Sequence, residues 1–576
     1  SDAVVETLGS LWTLADGKLV SNRPSDKKDA VPKNWFSGVV PGIGQNAAGK
    51  SPWLLDDTVA AAFVRRMIET PGVAATGDPM SGVLSRRRLL VAVTLMARRF
   101  ARIPENHVGV MLPASVAADI VFYAMHLAGK IPVMMNWTTG PSGLAHGIQV
   151  TGVKAVVSSS RLVDRLGITI EGAEYVFLEN VKTSIGKIEA FGVLARTYVW
   201  PSSFLNSVPH QSERDTAVFL FTSGSESTPK TVPLTHLNLL TNIHDSLAVL
   251  EPDHTDSLLG FLPPFHSFGL TGNVLLPQLS GIRSVRYADP TDASGLVRLI
   301  STYKPTLLFT TPTFLGYILA NAAGDELQSL RKIITGAEAC PEATHVLCKQ
   351  KAAKAIILEG YGITECSPVV SANRIDKNKH GSIGKLVDHV QAKIVNHETM
   401  EQVERGQTGM LLVRGDSIFD GYHAFDGPSP FVEFEGQQWY RTGDLVSADG
   451  DGYFQFQGRL KRFLKAGGEM VSLPALEVPF QKKFPSDENG PRVAVEGIET
   501  PSGRMIVLFT TEELSFREAA DLLLESGLRG VMRFDAVRRV DSIPVLGTGK
   551  TDYKTLRSEV EVMAKESMVT NPTEPV

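Results

Sequence analysis

Between Val108 and Ser158 short apolar runs alternate with longer stretches in which apolar residues recur at helical spacing: Val108 to Leu112, Ser115 to Gly129, Ile131 to Trp137 and Lys154 to Ser158. The short runs read as buried strands and the longer ones as helices, so the pattern predicts βαβ units on a parallel sheet. It resumes at Ala217 to Phe221, Leu307 to Thr310, Arg331 to Thr335 and Ala355 to Leu358. Past Gly381 the chain becomes β-rich, with Gln391 to Asn396, Met410 to Arg414 and a hairpin around Asp449 to Gly452. A smaller α+β unit is expected from Arg492 to Glu496, Met505 to Thr511 and a helix from Phe516 to Glu525. The fold class is therefore α/β: a large domain, 1–459, of parallel-sheet βαβ subdomains plus a β-rich subdomain, then a small α+β domain, 460–576. Residues 1–80 are weakly patterned, and Ser21 to Lys33 reads as a polar linker.

Composition narrows the class. The chain has 576 residues, 43% hydrophobic and 21% charged, with a net charge of −5. That is an ordinary globular balance, too mildly charged to suggest a nucleic-acid partner. Cys340, Cys348 and Cys366 lack metal-binding spacing, which fits a reducing cytoplasm and predicts no disulfide framework. Leu89 to Ala97 and Asp119 to Trp137 are too short, or too interrupted by His126 and Lys130, to span a bilayer, and neither a signal peptide nor an amphipathic anchor stands out. The opening at Ser1 instead of methionine is expected of a chain that has lost an upstream portion.

The chemistry begins at Phe221-Thr222-Ser223-Gly224-Ser225-Glu226-Ser227-Thr228-Pro229-Lys230, where small hydroxyl residues and a glycine follow an apolar strand and lead to a lysine. Gly224 lets the backbone approach a phosphate, hydroxyl and N–H groups donate to its oxygens, and an ammonium offsets its charge, so the loop is a candidate polyphosphate cradle for ATP. It lacks the P-loop spacing. Gly547-Thr548-Gly549-Lys550-Thr551 looks like half of that motif, but its required first glycine falls on Pro544.

Further motifs follow in order: Pro264 to Gly269, Thr335-Gly336-Ala337-Glu338, Gly360-Tyr361-Gly362-Ile363-Thr364-Glu365, Tyr440 to Asp444, Gly458 to Lys461 and Gly547 to Lys550. From about Ser85 to about Leu556 the sequence resembles the adenylate-forming superfamily of acyl-CoA synthetases, luciferases and peptide-synthetase adenylation domains. Leu262 to Thr271, Leu358 to Ser371 and Gly467 to Leu473 look most like the acyl-[acyl-carrier-protein] synthetases, including the synthetase half of bifunctional 2-acylglycerophosphoethanolamine acyltransferases.

The resemblance implies ATP-dependent activation of a medium or long fatty acid to acyl-AMP, then transfer to the phosphopantetheine thiol of holo-acyl carrier protein, in phospholipid recycling. Coenzyme A is the competing acceptor. It implies that Lys550 bridges the α-phosphate and the carboxylate, that His266 lies beside that carboxylate, and that Lys461 is a hinge about which the small domain swings, after which Lys465 and Gly467-Gly468 face the site. It implies that Thr222, Ser223, Gly224, Ser225 and Lys230 hold phosphates, and that Glu365, Thr364 and Thr222 serve Mg²⁺. Gly336, Ala337, Glu338, Gly360, Tyr361 and Gly362 would enclose adenine, Asp444 the ribose hydroxyls, and Arg459 ribose or phosphate. Phe265, Phe268, Thr313, Phe314 and Val369 fall near motifs that line the acyl pocket in relatives. Ser227 and Thr231 depart from the family's glycines, which predicts a stiffer loop. An acidic carrier protein needs a basic face, for which Lys461, Arg462, Lys465, Arg529, Arg533, Arg538 and Arg539 are candidates. Peripheral membrane contact would suit long-chain acids. A non-catalytic acyl-nucleotide sensor and an oxygenating luciferase-type enzyme are the readings from other classes.

Overall fold

The computed structural model describes residues 12–15, 18–21, 35, 57–222, 229–466, 469–486, 490–500, 503–546 and 550–570. Two large sheets carry the N-terminal part. The six-stranded sheet runs in the order Thr231–Thr235, Thr216–Phe221, Ile131–Met134, His107–Val110, Ala155–Ser158, Glu174–Phe177, and it is parallel except for the edge strand Thr231–Thr235. The nine-stranded sheet is parallel through its centre, from Ala74–Asp78 to Ile356–Gly362, with antiparallel strands at both ends. Its central strands are wholly buried, as their unbroken apolar runs require when helices cover both faces.

The sheets share one core, in which Phe63 stacks on Tyr123 with centroids 4.0 Å apart. A buried ion pair lies there too: Arg286, on the nine-stranded sheet, reaches Asp119, on the helix Val116–Leu127 behind the six-stranded one, at 3.0 Å. Thr76 Oγ1 also donates to Asp119. Burial nevertheless pushes the Asp119 carboxyl up to about 6, because two partners only partly replace lost hydration.

Residues 57–80 hold more regular structure than their pattern suggests. Thr58 caps the helix Val59–Glu69, and Ala74–Asp78 then enters the nine-stranded sheet. Arg66 hides this helix in the sequence: it is fully buried, with its guanidinium donating to the Leu279 carbonyl and to Glu69.

After residue 381 a five-stranded antiparallel sheet forms from Val390–Val395, Gly409–Gly415, Phe431–Phe434, Gln437–Ala448 and Phe454–Arg459. The hairpin around Asp449 joins the last two. A turn at Leu460–Arg462 leads into the C-terminal part, where Val493–Thr500, Gly503–Thr510 and Ala536–Arg539 make a three-stranded sheet flanked by Leu473–Lys483, Phe516–Glu525 and Tyr553–Thr570. This part has its own apolar clusters on either side of its sheet.

Among the described residues no helix is long and apolar enough to cross a membrane. An apolar face that the sequence pattern did not single out is nevertheless exposed. The helix Lys187–Val199 packs on Arg86–Phe100 through Glu189, which binds Arg98 and Arg99 at 3.0 and 2.6 Å, and through Arg87, 3.8 Å above the Tyr198 ring. Its outer stripe of Ile188, Phe191, Tyr198 and Val199, with Trp200 beyond, stands 63–90% exposed.

Candidate active site

Three predicted motifs meet where the nine-stranded sheet abuts the five-stranded one. Lys332–Thr335 lies parallel to Ile356–Gly362 with Thr335 opposite Glu359, so the turn Gly336-Ala337-Glu338 lies beside Gly360 and Tyr361. Gly362 cannot carry a side chain, since a Cβ there would stand 2.2 Å from the Pro368 carbonyl oxygen. Ala337 adopts φ +76°, a left-handed conformation that costs an L-residue about 1–2 kcal/mol. Glu338 Oε2 accepts from Thr313 Oγ1 at 2.6 Å, while Oε1 is sealed from solvent with no hydrogen-bond partner. Burial raises the Glu338 pKa, opposed by the Thr313 bond and by the charge of Lys550.

Asp444 faces Arg459 across the Gln437–Ala448 and Phe454–Arg459 pair. That register sets Arg459 Nε 3.3 Å from Oδ1, and Tyr361 donates its phenol to Oδ2 at 2.5 Å. The carboxylate is buried, which raises its pKa, and Arg459 is the chief opposing influence. Two acceptor oxygens fixed in this way suit a diol, at the expense of the Tyr361 bond.

On the other side lies the neck of the hydroxyl-rich loop. Thr222 N–H donates to the Lys230 carbonyl at 3.0 Å, and Lys230 N–H donates back to Thr222 Oγ1 at 3.1 Å. Ser223, Gly224 and Ser225, like Ser227, lie outside the described residues; Thr231 begins the buried edge strand Thr231–Thr235. Lys230 Nζ lies 4.5 Å from the ring centroids of both Tyr422 and Phe425. Burial lowers its pKa, the positive charge of Lys461 adds to that, and Glu365 counters it. Glu365 is buried and accepts from the Tyr422 hydroxyl at 2.7 Å, and Thr364 Oγ1 lies 3.3 Å from Ser267 Oγ.

Lys550 comes to this site from the C-terminal part. Burial lowers its ammonium to about 8, with Glu338 and Asp444 raising it and Arg459 lowering it. The same charge, after burial, depresses His266 to about 3. The His266 ring is therefore neutral, and its Nε2 is sealed from solvent without a partner. The structure thus gathers Lys550, His266, Glu338, Asp444 and Arg459 into one electrostatic neighbourhood, with Lys230, Glu365 and Lys461 in another beside it. Lys461 is exposed on the turn Leu460–Arg462. Lys465 lies on the strand Phe463–Ala466, its side chain outside what is described, as are Gly467 and Gly468.

Several expectations change. Arg462 is not part of a basic face: it points inward, pairing with Glu477 at 3.0 Å and Glu496 at 3.7 Å, and its guanidinium lies 3.6 Å over the Tyr553 ring. Arg538 and Arg539 are exposed but paired with Glu559 and Glu513, and Arg529 and Arg533 are exposed. Phe265 and Phe314 are buried, Thr313 is bonded to Glu338, and Phe268 and Val369 are half-buried, which leaves all five available to line an acyl pocket or the core. Sequence reasoning missed Tyr422 and Phe425. The only local signal is two aromatics three residues apart in a loop, since their proximity to Lys230 is tertiary.

The sealed His266 ring can be tested by an NMR titration. It should stay uncharged through the range around 6.5 where an ordinary imidazole titrates. Lys550→Ala should move its midpoint upward by removing a neighbouring positive charge. An inflection near 6.5 in the unaltered protein would contradict this geometry.

Comparison with known proteins places the chain in a family. The family model for AMP-binding enzymes matches residues 73–423. A long-chain-fatty-acid–CoA ligase of Escherichia coli O157:H7 is 26% identical over 528 residues, 86% of this chain and 93% of its own length. A probable 4-coumarate–CoA ligase of Dictyostelium discoideum is 29% identical over 364 residues, 60% of this chain and 63% of its own. Among solved structures, an anthranilate CoA ligase with anthranoyl-AMP superposes with a TM-score of 0.72 at 22% identity, over 89% of this chain and 98% of its own. The o-succinylbenzoate coenzyme A synthetase of Bacillus subtilis, in complex with ATP and magnesium ion, gives 0.72 at 19% identity, over 87% and 99%. These two establish likeness of fold, and the match of the family model across more than half of the chain makes this protein a member of the AMP-binding enzyme family.

Proposed function

We propose that the protein is an ATP-dependent, AMP-forming ligase that joins a fatty acid to a thiol. In the first half-reaction a carboxylate oxygen attacks the α-phosphorus of ATP and pyrophosphate departs. In the second, a thiolate attacks the acyl carbonyl and AMP departs. The observation that carries this reading is Lys550: a half-buried lysine whose ammonium, depressed by desolvation, lies among the charges of Glu338, Asp444 and Arg459, next to an uncharged His266. A reaction between two anions needs that charge where they meet, and a desolvated site strengthens its effect. Neutral His266 leaves a sealed nitrogen able to donate or accept without adding charge.

Asp444 would take the ribose hydroxyls, Tyr361 and the 336–338 turn would bound adenine, and Lys230 would meet the outer phosphates. The carboxylate of Glu365 and the hydroxyls of Thr222 and Thr364 are hard oxygen donors, which fit Mg²⁺. The ion would offset phosphate charge there. A second pose, reached by rotation about Lys461 between units 1–459 and 460–576, would withdraw Lys550 and bring Lys465 forward.

Coenzyme A is the first reading for the acceptor, because relatives spanning most of the chain are coenzyme A ligases of long-chain fatty acids. Acyl carrier protein is the second, favoured by the runs Leu262 to Thr271 and Leu358 to Ser371 and by exposed Arg529 and Arg533. The sensor reading is weaker, since Lys550, Glu365, Asp444 and Lys461 are all retained. Peripheral contact with a bilayer would use the apolar stripe of Lys187–Val199, beside exposed Arg88, Arg98 and Arg102.

AMP release with a panel of fatty acids and Mg-ATP, comparing coenzyme A, holo-acyl carrier protein and no acceptor, tests the activity. Turnover with coenzyme A supports the first reading and turnover with the carrier protein alone the second; no AMP with any acid overturns the ligase. Vesicles containing anionic lipid should sediment the protein, and Ile188→Glu with Phe191→Glu should release it. Equal sedimentation of the double variant would remove this stripe from consideration.

A further inference from the structure

Beside the 336–340 turn, where Glu359 accepts the Cys340 N–H, a second group of chemistry-bearing side chains converges. His345 lies on the helix Glu342–Lys351, Glu359 on the strand Ile356–Gly362, and His380 in the connection that follows Val369–Ala372. The three come from separate elements, yet one ligand atom from each lies within 4.8 Å of the other two. We propose that His345, Glu359 and His380 form a binding site for a divalent transition metal of the zinc class, with Glu342 as the outer partner that orients His380.

The distances are close to those such an ion would require, and small side-chain movements would bring all three ligand atoms onto it. Zinc binds imidazole nitrogen and carboxylate oxygen at about 2.0–2.2 Å, so the edges of its tetrahedron are about 3.3–3.6 Å. His345 Nε2 lies 3.4 Å from Glu359 Oε1, and His380 Nδ1 lies 3.8 Å from the same oxygen. The two rings are in edge-to-face contact, centroids 4.1 Å apart at 77°, so both imidazoles already lie beside the Glu359 carboxylate, and binding an ion would spread them slightly.

The outer partners fit as well. A metal-bound imidazole usually gives its other N–H to a carboxylate or carbonyl, which fixes the tautomer and turns the free nitrogen toward the ion. His380 Nε2 lies 2.5 Å from Glu342 Oε2, leaving Nδ1 as the ligating atom. Glu359 Oε2 accepts the Cys340 N–H at 3.3 Å, leaving Oε1.

Ion pairing alone does not satisfy this group. His345 Nε2 is sealed from solvent and has no hydrogen-bond partner, although a carboxylate oxygen is near it. Buried polar atoms are nearly always paired, so an orphan aimed at Glu359 and His380 calls for an explanation that a shared cation supplies. Two imidazoles favour zinc, nickel, cobalt or copper over magnesium and calcium, which take oxygen. The other His–carboxylate group, His244, Asp245 and His389, is a poorer candidate. Asp245 already accepts from the His389 backbone N–H at 3.1 Å and lies 2.6 Å from its Nδ1.

Such an ion would clip three segments together beside the turn that carries Glu338. The test is zinc titration of the metal-stripped full chain, followed by calorimetry and by competition with a chromophoric chelator, with X-ray absorption on the loaded protein. The proposal expects one equivalent bound, nitrogen and oxygen scatterers at about 2.0–2.2 Å, and a higher Tm with zinc than with magnesium. His380→Ala, at a half-exposed position where folding is not at stake, should abolish that equivalent, as should His345→Ala. Glu342→Gln should keep the stoichiometry and weaken affinity about 10–100-fold. The proposal is overturned if no stoichiometric zinc binds, if His345→Ala and His380→Ala bind as the unaltered protein does, or if binding is lost on His389→Ala instead.

Discussion

The proposed site depends on a desolvated ammonium, that of Lys550. Lys550 belongs to the C-terminal part, but the groups that set its charge, Glu338, Asp444 and Arg459, belong to two different sheets of the large part. A desolvated cation is costly unless opposite charge lies near it, and Glu338 and Asp444 supply that charge beside Lys550. Glu338 depends on the turn between Lys332–Thr335 and Glu342–Lys351, Asp444 on its register with Arg459, and both on the packing of one sheet against the other. The folding of the large part and the readiness of the site are thus one problem.

That dependence runs outward through ordinary packing. Tyr361 ends a strand of the nine-stranded sheet and binds Asp444 on the five-stranded one. The His423 N–H donates to the Thr231 carbonyl, tying the loop that carries Tyr422 and Phe425 to the edge strand beyond Lys230. Lys230 is held by aromatic faces on one side and by its exchange with Thr222 on the other, which fixes where its charge lies. Preorganisation of this kind lets a charge act without moving at the moment of reaction.

Much of this was legible in the sequence, for reasons that differ by element. The buried parallel strands Leu307–Thr310 and Lys332–Thr335 were visible because full burial demands continuous apolar runs, and Phe516–Glu525 because its apolar face repeats at helical spacing. Lys550, Asp444 and Glu365 were singled out from short local motifs, and the fold brings them close enough to influence one another's charge. The helix Val59–Glu69 was missed because Arg66 lends it a polar look while its charge is spent internally. Arg462 misled in the same way, as a surface charge by pattern and an internal cation in fact. Tyr422, Phe425 and the trio His345, Glu359 and His380 could not be read ahead, since only tertiary folding brings them to their partners.

The most direct measurement separates the two half-reactions in a Lys550→Ala variant. The account predicts that ATP–pyrophosphate exchange with a fatty acid falls by about 100–1,000-fold or more, on the scale of removing one oriented charge from a transition state, while thioester formation from a supplied acyl-adenylate stays near that of the unaltered protein. Retained exchange, or equal loss of both half-reactions, would contradict the claim that this one ammonium serves adenylation.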